Sequence, residues 1–323
     1  MLTEIKGLKV GHWTDREHGT GCTVVLCEDG AVAGVDIRGG APGTREAGLL
    51  APGKMAPDIH GLLLSGGSAF GLDAAAGVMR YLEERGIGFK LRDVVVPIVP
   101  AAIIFDLGMG SGKVRPGPDQ AYEACLAATD NTFQRGSVGA GTGATVGKVL
   151  GIESATKGGV GTASGKVAGS WTVSAIAVVN AYGDVVHPHT GQVLAGPRRK
   201  DGPGFQNSVE LLSSQVQQDL DLAGDPSTTL VVVATDAPLN REQTGVLAKA
   251  AHNGMARAVQ PCHLMRDGDV AFALATGRSG QVRDVDPLLA AAPGIVAAAI
   301  LDAVYQATSL FGVPAIADLA RAE

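Results

Sequence analysis

Ser227-Thr228-Thr229-Leu230-Val231-Val232-Val233-Ala234-Thr235-Asp236 reads as a buried strand with chemistry at its entrance. Val231 to Val233 is an unbroken β-branched run, stiff at χ1 and suited to a sheet covered on both faces. Asp225-Pro226 before the stretch and Asp236-Ala237-Pro238 after it are turn formers that bound the strand. Hydroxyl side chains are thereby delivered to the mouth of a core strand. A threonine hydroxyl is a weak nucleophile unless a base takes its proton, and cutting the chain just before it supplies one, because the threonine's own α-amine becomes free. A Ser/Thr-rich turn leading into a core strand would account for the same residues without chemistry.

Composition narrows the classes around this stretch. The 323 residues are 46% hydrophobic and 18% charged, with 46 glycines, which fits a compact chain with tight backbone packing and many turns. A net charge of -6 with no basic block argues against nucleic acid as a partner. Cys22, Cys27, Cys125 and Cys262 form no C-x-x-C pair and no disulfide framework, so reduced thiols in the cytoplasm are expected. The start, Met1-Leu2-Thr3-Glu4-Ile5-Lys6, is not a basic segment followed by an apolar one, and no uninterrupted apolar run reaches membrane-spanning length. A soluble protein with no membrane partner is the expectation.

Downstream of the opening strand, Asn240 with Gln243 in the reciprocal position predicts a capped helix running to about Gln260. Asp267-Gly268-Asp269 then leads into a strand from Val270 to Thr276, so two carboxylates flank a glycine at a second strand entrance. They can orient an ammonium or hydroxyl, or simply make an Asp-Gly turn. A last alanine-rich helix starts at Asp286-Pro287 and is predicted to break near Pro293 and resume through Tyr305.

Upstream, Gly21 to Cys27 and Ala31 to Ile37 are β-rich runs around Glu28-Asp29-Gly30, a pattern that predicts a hairpin. Arg38-Gly39-Gly40-Ala41-Pro42-Gly43-Thr44-Arg45-Glu46 is a loop of the kind that borders sites. His60 to Leu64 runs into Ser65-Gly66-Gly67-Ser68-Ala69-Phe70-Gly71 and a helix over Leu72 to Glu84, the outline of a nucleophile elbow, but Phe70 stands at its final glycine position. Gly108 to Lys113 fails as a phosphate loop, since Leu107 and Val114 replace the glycine and the hydroxyl that it needs. Gly139-Ala140-Gly141-Thr142-Gly143-Ala144 fits a dinucleotide fingerprint in form only, lacking the strand and helix around it. Lys148 is the one charge in that glycine run, and Asn180 is a polar amide ending an apolar strand, either a turn residue or an oxyanion donor. His187-Pro188-His189 lacks further ligands at metal spacing. Leu194 to Ser208, rich in Pro, Gly and charge, is the expected flexible link.

Several of these motifs in order resemble the DmpA-like peptidases, a family that includes L-aminopeptidase/D-esterases, β-aminopeptidases and nylon-oligomer hydrolases. Val10-Gly11-His12, Gly39-Gly40-Ala41-Pro42-Gly43-Thr44, Leu64 through Leu72, the run from Gly139 to Lys148, and Thr228-Thr229-Leu230 carry the likeness over nearly the whole chain. The resemblance implies an α/β fold, a four-layer αββα sandwich shared with ornithine acetyltransferases, and one domain cut by itself into an α chain of residues 1–227 and a β chain of residues 228–323. It implies Thr228 as the catalytic nucleophile, with Lys148, Asn180, Asp267 and Asp269 around it, closest to the nylon-hydrolase branch. The family usually carries Asn before the nucleophile, where Ser227 stands here. The expected enzyme is an amidohydrolase or aminopeptidase acting on a small peptide or other amide, with no metal or organic cofactor, assembled as a homo-oligomer, a tetramer of processed units. An acyltransferase on the same scaffold and an unprocessed, non-catalytic binding protein are the rivals.

Overall fold

The computed structural model describes residues 1–54, 58–214 and 226–320; Asp225, in the turn read ahead of the central strand, lies outside them. In chain order, the elements that frame the site are β1 (Lys9–Asp15), β2 (Thr20–Ile37), β3 (Ile59–Ser65), α1 (Ala75–Glu83), β4 (Ala101–Ile103) and α2 (Pro118–Leu126). They are followed by β5 (Gly159–Val167), β6 (Trp171–Asn180), β7 (Thr228–Thr235), α3 (Arg241–Ala258), β8 (Val270–Ala275) and α4 (Asp286–Tyr305).

The β-branched run is central, as its sequence demands. β7 pairs antiparallel with β6 and parallel with β8; β5 lies beyond β6, and the C-terminal half of β2 lies beyond β8. The N-terminal half of β2 pairs instead with β1 and β3, and β3 pairs with β4. β2 therefore belongs to two sheets. The hairpin expected at Glu28-Asp29-Gly30 does not form: Thr20–Ile37 is one strand that bends there, with Gly30 at φ +90° and the register shifting between Leu26 and Ala31. The two halves prefer different partners to each other, so the Asp-Gly sequence makes a bulge that turns the strand from one sheet to the next.

Alternation along β7 shows the layering. Leu230, Val232 and Ala234 pack between the sheets with Leu62, Leu64 and Ile104, while Val231 and Val233 point the other way, into a cluster with Leu247 and Met255 of α3 and Val296 and Ile300 of α4. On the outer face of the second sheet, Val24, Leu26 and Leu63 lie under Val78 and Leu82 of α1 and Ala121 and Ala124 of α2. Helix, sheet, sheet, helix is the αββα sandwich that the family resemblance implied, and each buried Val or Leu contributes roughly 1.5–3 kcal/mol through its removal from water.

The capping box is formed: Asn240 Oδ1 accepts from the Gln243 N–H at 2.9 Å, and Gln243 Oε1 accepts from the Asn240 N–H at 3.0 Å. α4 corrects the sequence reading, running unbroken through Pro293. Packing outweighs the lost helical bond there. The proline lies against α3 at Gly254, where a Cβ would stand 2.5 Å from the Pro293 carbonyl oxygen. By length and composition α4 could cross a membrane, with a mean hydropathy of 1.9, but half of that window is buried within the protein.

Candidate active site

Thr228 shares a face of β7 with Leu230 and Val232, so its side chain enters the space between the two sheets; it is 3% exposed. Across β6 its register partner is Asn180, the last residue of that strand. On the other flank, Ser227 forms a parallel bridge with Asp267, just ahead of β8. Three stretches far apart in sequence thus meet at one end of the central strand.

On the β6 flank the side chains grip one another. Lys148 Nζ donates to Asn180 Oδ1 at 2.9 Å, to the Asn180 carbonyl at 3.0 Å, to the Thr145 carbonyl at 2.9 Å and toward Thr145 Oγ1 at 3.3 Å. Asn180 Oδ1 also accepts from the Thr145 N–H at 3.0 Å, and Nδ2 donates to the Phe105 carbonyl at 3.0 Å. An amide carries two N–H donors, so this grip fixes the side chain while leaving Asn180 a second hydrogen to offer. Lys148 is buried and its charge is met by oxygen dipoles, as a desolvated ammonium requires.

The β8 flank works through backbone groups. Asp269 Oδ1 accepts from the Thr229 N–H at 2.7 Å, and Oδ2 accepts from the His263 N–H at 2.9 Å and meets His263 Nδ1 at 2.9 Å. Asp267 Oδ2 accepts from the Leu264 N–H at 2.8 Å. Burial, and after it the neighbouring Asp269 charge, push the Asp267 carboxyl well above the usual carboxylate range, while the Leu264 N–H, and after it Lys148 and His263, pull it back. Between the acids, the Gly268 N–H donates to the Ser227 carbonyl at 2.6 Å. A Cβ at 268 would stand 2.6 Å from Thr228 Oγ1 and 2.8 Å from the Ala41 carbonyl oxygen, so only glycine fits beside the threonine hydroxyl.

Two of the glycine motifs act as supports. The Arg38 N–H donates to the Asp269 carbonyl at 3.1 Å and the Ala41 N–H to the Asp267 carbonyl at 2.9 Å, which straps the Gly39-Gly40 loop across the acid loop. At the other motif, the Gly67 N–H and Thr20 hydroxyl each donate to the Asp106 carboxylate at 2.7 Å, and Asp106 follows the Phe105 carbonyl that anchors Asn180. Burial pushes the Asp106 carboxyl up to about 6 and pulls the fully buried Lys157 down to about 7, the latter helped by the Lys148 charge.

Thr228, Lys148, Asn180, Asp267 and Asp269 therefore lie together at one end of β7. Ser65 is fully buried and donates to the Gly66 carbonyl at 3.0 Å, a structural bond. His187 Nδ1 accepts from the backbone N–H groups of His189 and Thr190 in a turn. The segment from Leu194 to Ser208 starts inside a strand at Val193–Ala195 and lines, with Tyr305, Ile316 and Leu319, a groove of about 1040 Å3 that shares no residue with this cluster. Titratable groups, not cavity volume, mark the chemistry. Sequence reading missed His263 and Asp106, which belong to no spaced motif, and the role of the N–H of Gly268 inside the acid motif, which only folding reveals.

Comparison with known proteins identifies the family and the fold. The model of Peptidase family S58 matches residues 1–315. An uncharacterized aminopeptidase of Mycobacterium tuberculosis is 41% identical over 98% of this chain and 97% of its own. A 6-aminohexanoate-oligomer endohydrolase of Agromyces sp. is 31% identical, with 84% of this chain and 74% of that one covered. Among solved structures, a β-aminopeptidase of Burkholderia sp. superposes with a TM-score of 0.72 at 22% identity over 99% of this chain and 93% of that one. The L-aminopeptidase D-Ala-esterase/amidase of Ochrobactrum anthropi, described as a variant of the Ntn hydrolase fold, gives 0.72 at 21% over 97% and 88%. With nearly its whole length matched by the family model and the same layered fold, the chain belongs to Peptidase family S58 and is a peptidase or amidohydrolase.

Proposed function

We propose that the chain cuts its own Ser227–Thr228 bond and then hydrolyses small peptides or other amides through an acyl-enzyme on Thr228. The observation that carries this reading is the pairing at the end of β7: Asn180 opposite Thr228 on one flank, and Asp267 opposite Ser227 on the other. Once freed, the Thr228 α-amine, with a reference pKa of ~7.7–8.0, serves as base near neutral pH. Asn180 offers its remaining amide hydrogen to the oxyanion of the substrate's tetrahedral intermediate. Lys148 fixes Asn180 and biases the local charge. Asp267 and Asp269 hold the new ammonium and the strand end that carries it. In the uncut chain Thr228 is almost wholly covered, so cutting also clears the way to the nucleophile.

The enzyme is proposed to work in the cytoplasm, which suits its four free cysteines. A homo-oligomer is part of the same proposal: on the hairpin of Phe89–Leu91 and Val94–Val96, the exposed Phe89, Leu91, Val94 and Val96 offer an apolar surface for a second copy. Intact-mass measurement and N-terminal sequencing of the purified protein test the central claim. Two fragments are expected, the shorter beginning Thr-Thr-Leu-Val. Fragments that begin at Ser227, or cutting that survives Thr228→Ala, would overturn it.

A further inference from the structure

The Ser227 carbonyl is the one that self-cleavage must attack, and it points toward β8 rather than β6. Its oxygen accepts the Gly268 N–H at 2.6 Å, while the Ser227 N–H donates to the Arg266 carbonyl at 3.1 Å. Taken alone, these bonds continue the parallel β7–β8 ladder by one bridge. What sets this bridge apart is the position of the threonine hydroxyl. Thr228 Oγ1 lies against the Gly268 Cα, in the space that any side chain at 268 would fill. Attacking oxygen, target carbonyl and a backbone donor are thus gathered around one glycine. Asn180 is on the opposite neighbour of β7, so its amide is on the wrong side of the strand for this oxygen.

We propose that the Gly268 N–H is the oxyanion donor for self-cleavage, and that it is distinct from the Asn180 donor used in turnover; this inference rests on the self-cutting reading above. In the step, Thr228 Oγ bonds to the Ser227 carbonyl carbon and the π pair moves onto the carbonyl oxygen, where the Gly268 N–H stabilises it. The C–N bond then breaks, and the hydroxyl proton ends on the Thr228 nitrogen. The product is an ester of Ser227 on Thr228 Oγ with a free α-amine. Water hydrolyses that ester, leaving a Ser227 carboxylate and restoring the threonine hydroxyl. Because the donor is a ladder group, it is set in place by the sheet before any charge develops, which is the condition under which such a donor is most effective.

The test replaces Gly268 by glycolic acid in the full-length chain by semisynthesis, turning the Asp267–Gly268 amide into an ester and removing the N–H without adding an atom. Conversion to two fragments is followed by intact mass, with circular dichroism to confirm folding. Cutting is expected to slow by about 10²–10³-fold, and a rate within about threefold of the wild-type chain would overturn the assignment. If the ester chain does not fold, the uncut Thr228→Ala chain, labelled with ¹⁵N-glycine and ¹³C′-serine, decides through the scalar coupling across the Gly268 N–H to Ser227 carbonyl bond; its absence overturns the proposal. A wild-type chain that never cuts would refute the self-processing reading itself. A wild-type chain that cuts beside an ester chain that cuts equally fast would refute only the role of Gly268.

Discussion

On the β6 flank of Thr228, one lysine ammonium reaches four oxygens of Thr145 and Asn180, the Asn180 side-chain oxygen among them, whereas on the β8 flank two carboxylates are held mainly by backbone N–H groups of Thr229, His263 and Leu264. The acid flank is woven into the fold: Asp269 ties the first turn of β7 to the loop before β8, and that loop is strapped by the glycine segment at 38–41. The amide flank is tied in through side chains: Asn180 closes β6 and joins Thr145, Lys148 and Phe105. Both flanks are buried and hydrogen-bonded, so changes on either should cost stability, and loss of the proposed oxyanion donor on the amide flank should cost more rate than loss of either acid.

The largest effect bears on the residue between the flanks. Thr228→Ala should give one folded, uncut chain whose hydrolysis of a panel of amino-acid p-nitroanilides falls by about 10⁶-fold, in line with nucleophile removal elsewhere. Next comes the amide flank: Asn180→Ala should lower kcat by about 2.7–4 kcal/mol and, by leaving the Thr145 N–H and one Lys148 contact unmet, should also cost about 1–3 kcal/mol of stability. An effect confined to KM would reassign Asn180 to substrate binding and blur the contrast. On the acid flank, measured by urea unfolding of the uncut Thr228→Ala background, Asp269→Asn should cost about 1–3 kcal/mol, because an amide nitrogen would be turned against N–H donors. Asp267→Asn, whose carboxylate accepts from the Leu264 N–H, should cost less; the reverse order would show that the acid loop is not held as described.

The smallest expected effect is a pH slope. The folded pKa of Asp267 is raised, so above the unfolded value of ~3.9 the folded chain keeps a proton that the unfolded chain has lost. The proton uptake favours folding at low pH, and stability of the uncut chain should fall as pH rises from ~3.9 through the raised folded value. Asp267→Asn should flatten that slope. In the cut enzyme the adjacent ammonium should also weaken it, by favouring the carboxylate. An unchanged slope in both would remove Asp267 from the account.

Much of the fold was readable because its signals were local. The β-branched run from Val231 to Val233 was a core strand, and Asn240 with Gln243 capped the helix that it announced. Glu28-Asp29-Gly30 misled because a bulge and a hairpin use the same residues, and only partner choice tells them apart. Pro293 misled because its local penalty was offset by packing against Gly254, which no neighbouring residue reveals. In the candidate site, Thr228 and the acid pair were legible as polar residues at strand entrances, and the resemblance joined them to Lys148 and Asn180. His263 went unread since its link to Asp269 depends on a loop that folds back with His263 at φ +62°.

The position of the proposed cut in the sheet order has a consequence for reassembly. The segment after residue 227 supplies β7 and β8, and these strands lie between β6 and β2, both from the segment before it. Neither fragment can leave without tearing hydrogen-bonded ladders on both sides, so the nicked protein should migrate as one particle under native conditions. Denaturation changes the order of the reaction. The uncut chain refolds as a unimolecular process, but two separated fragments must first find each other, so recovery of the nicked form should depend on protein concentration and fail on dilution.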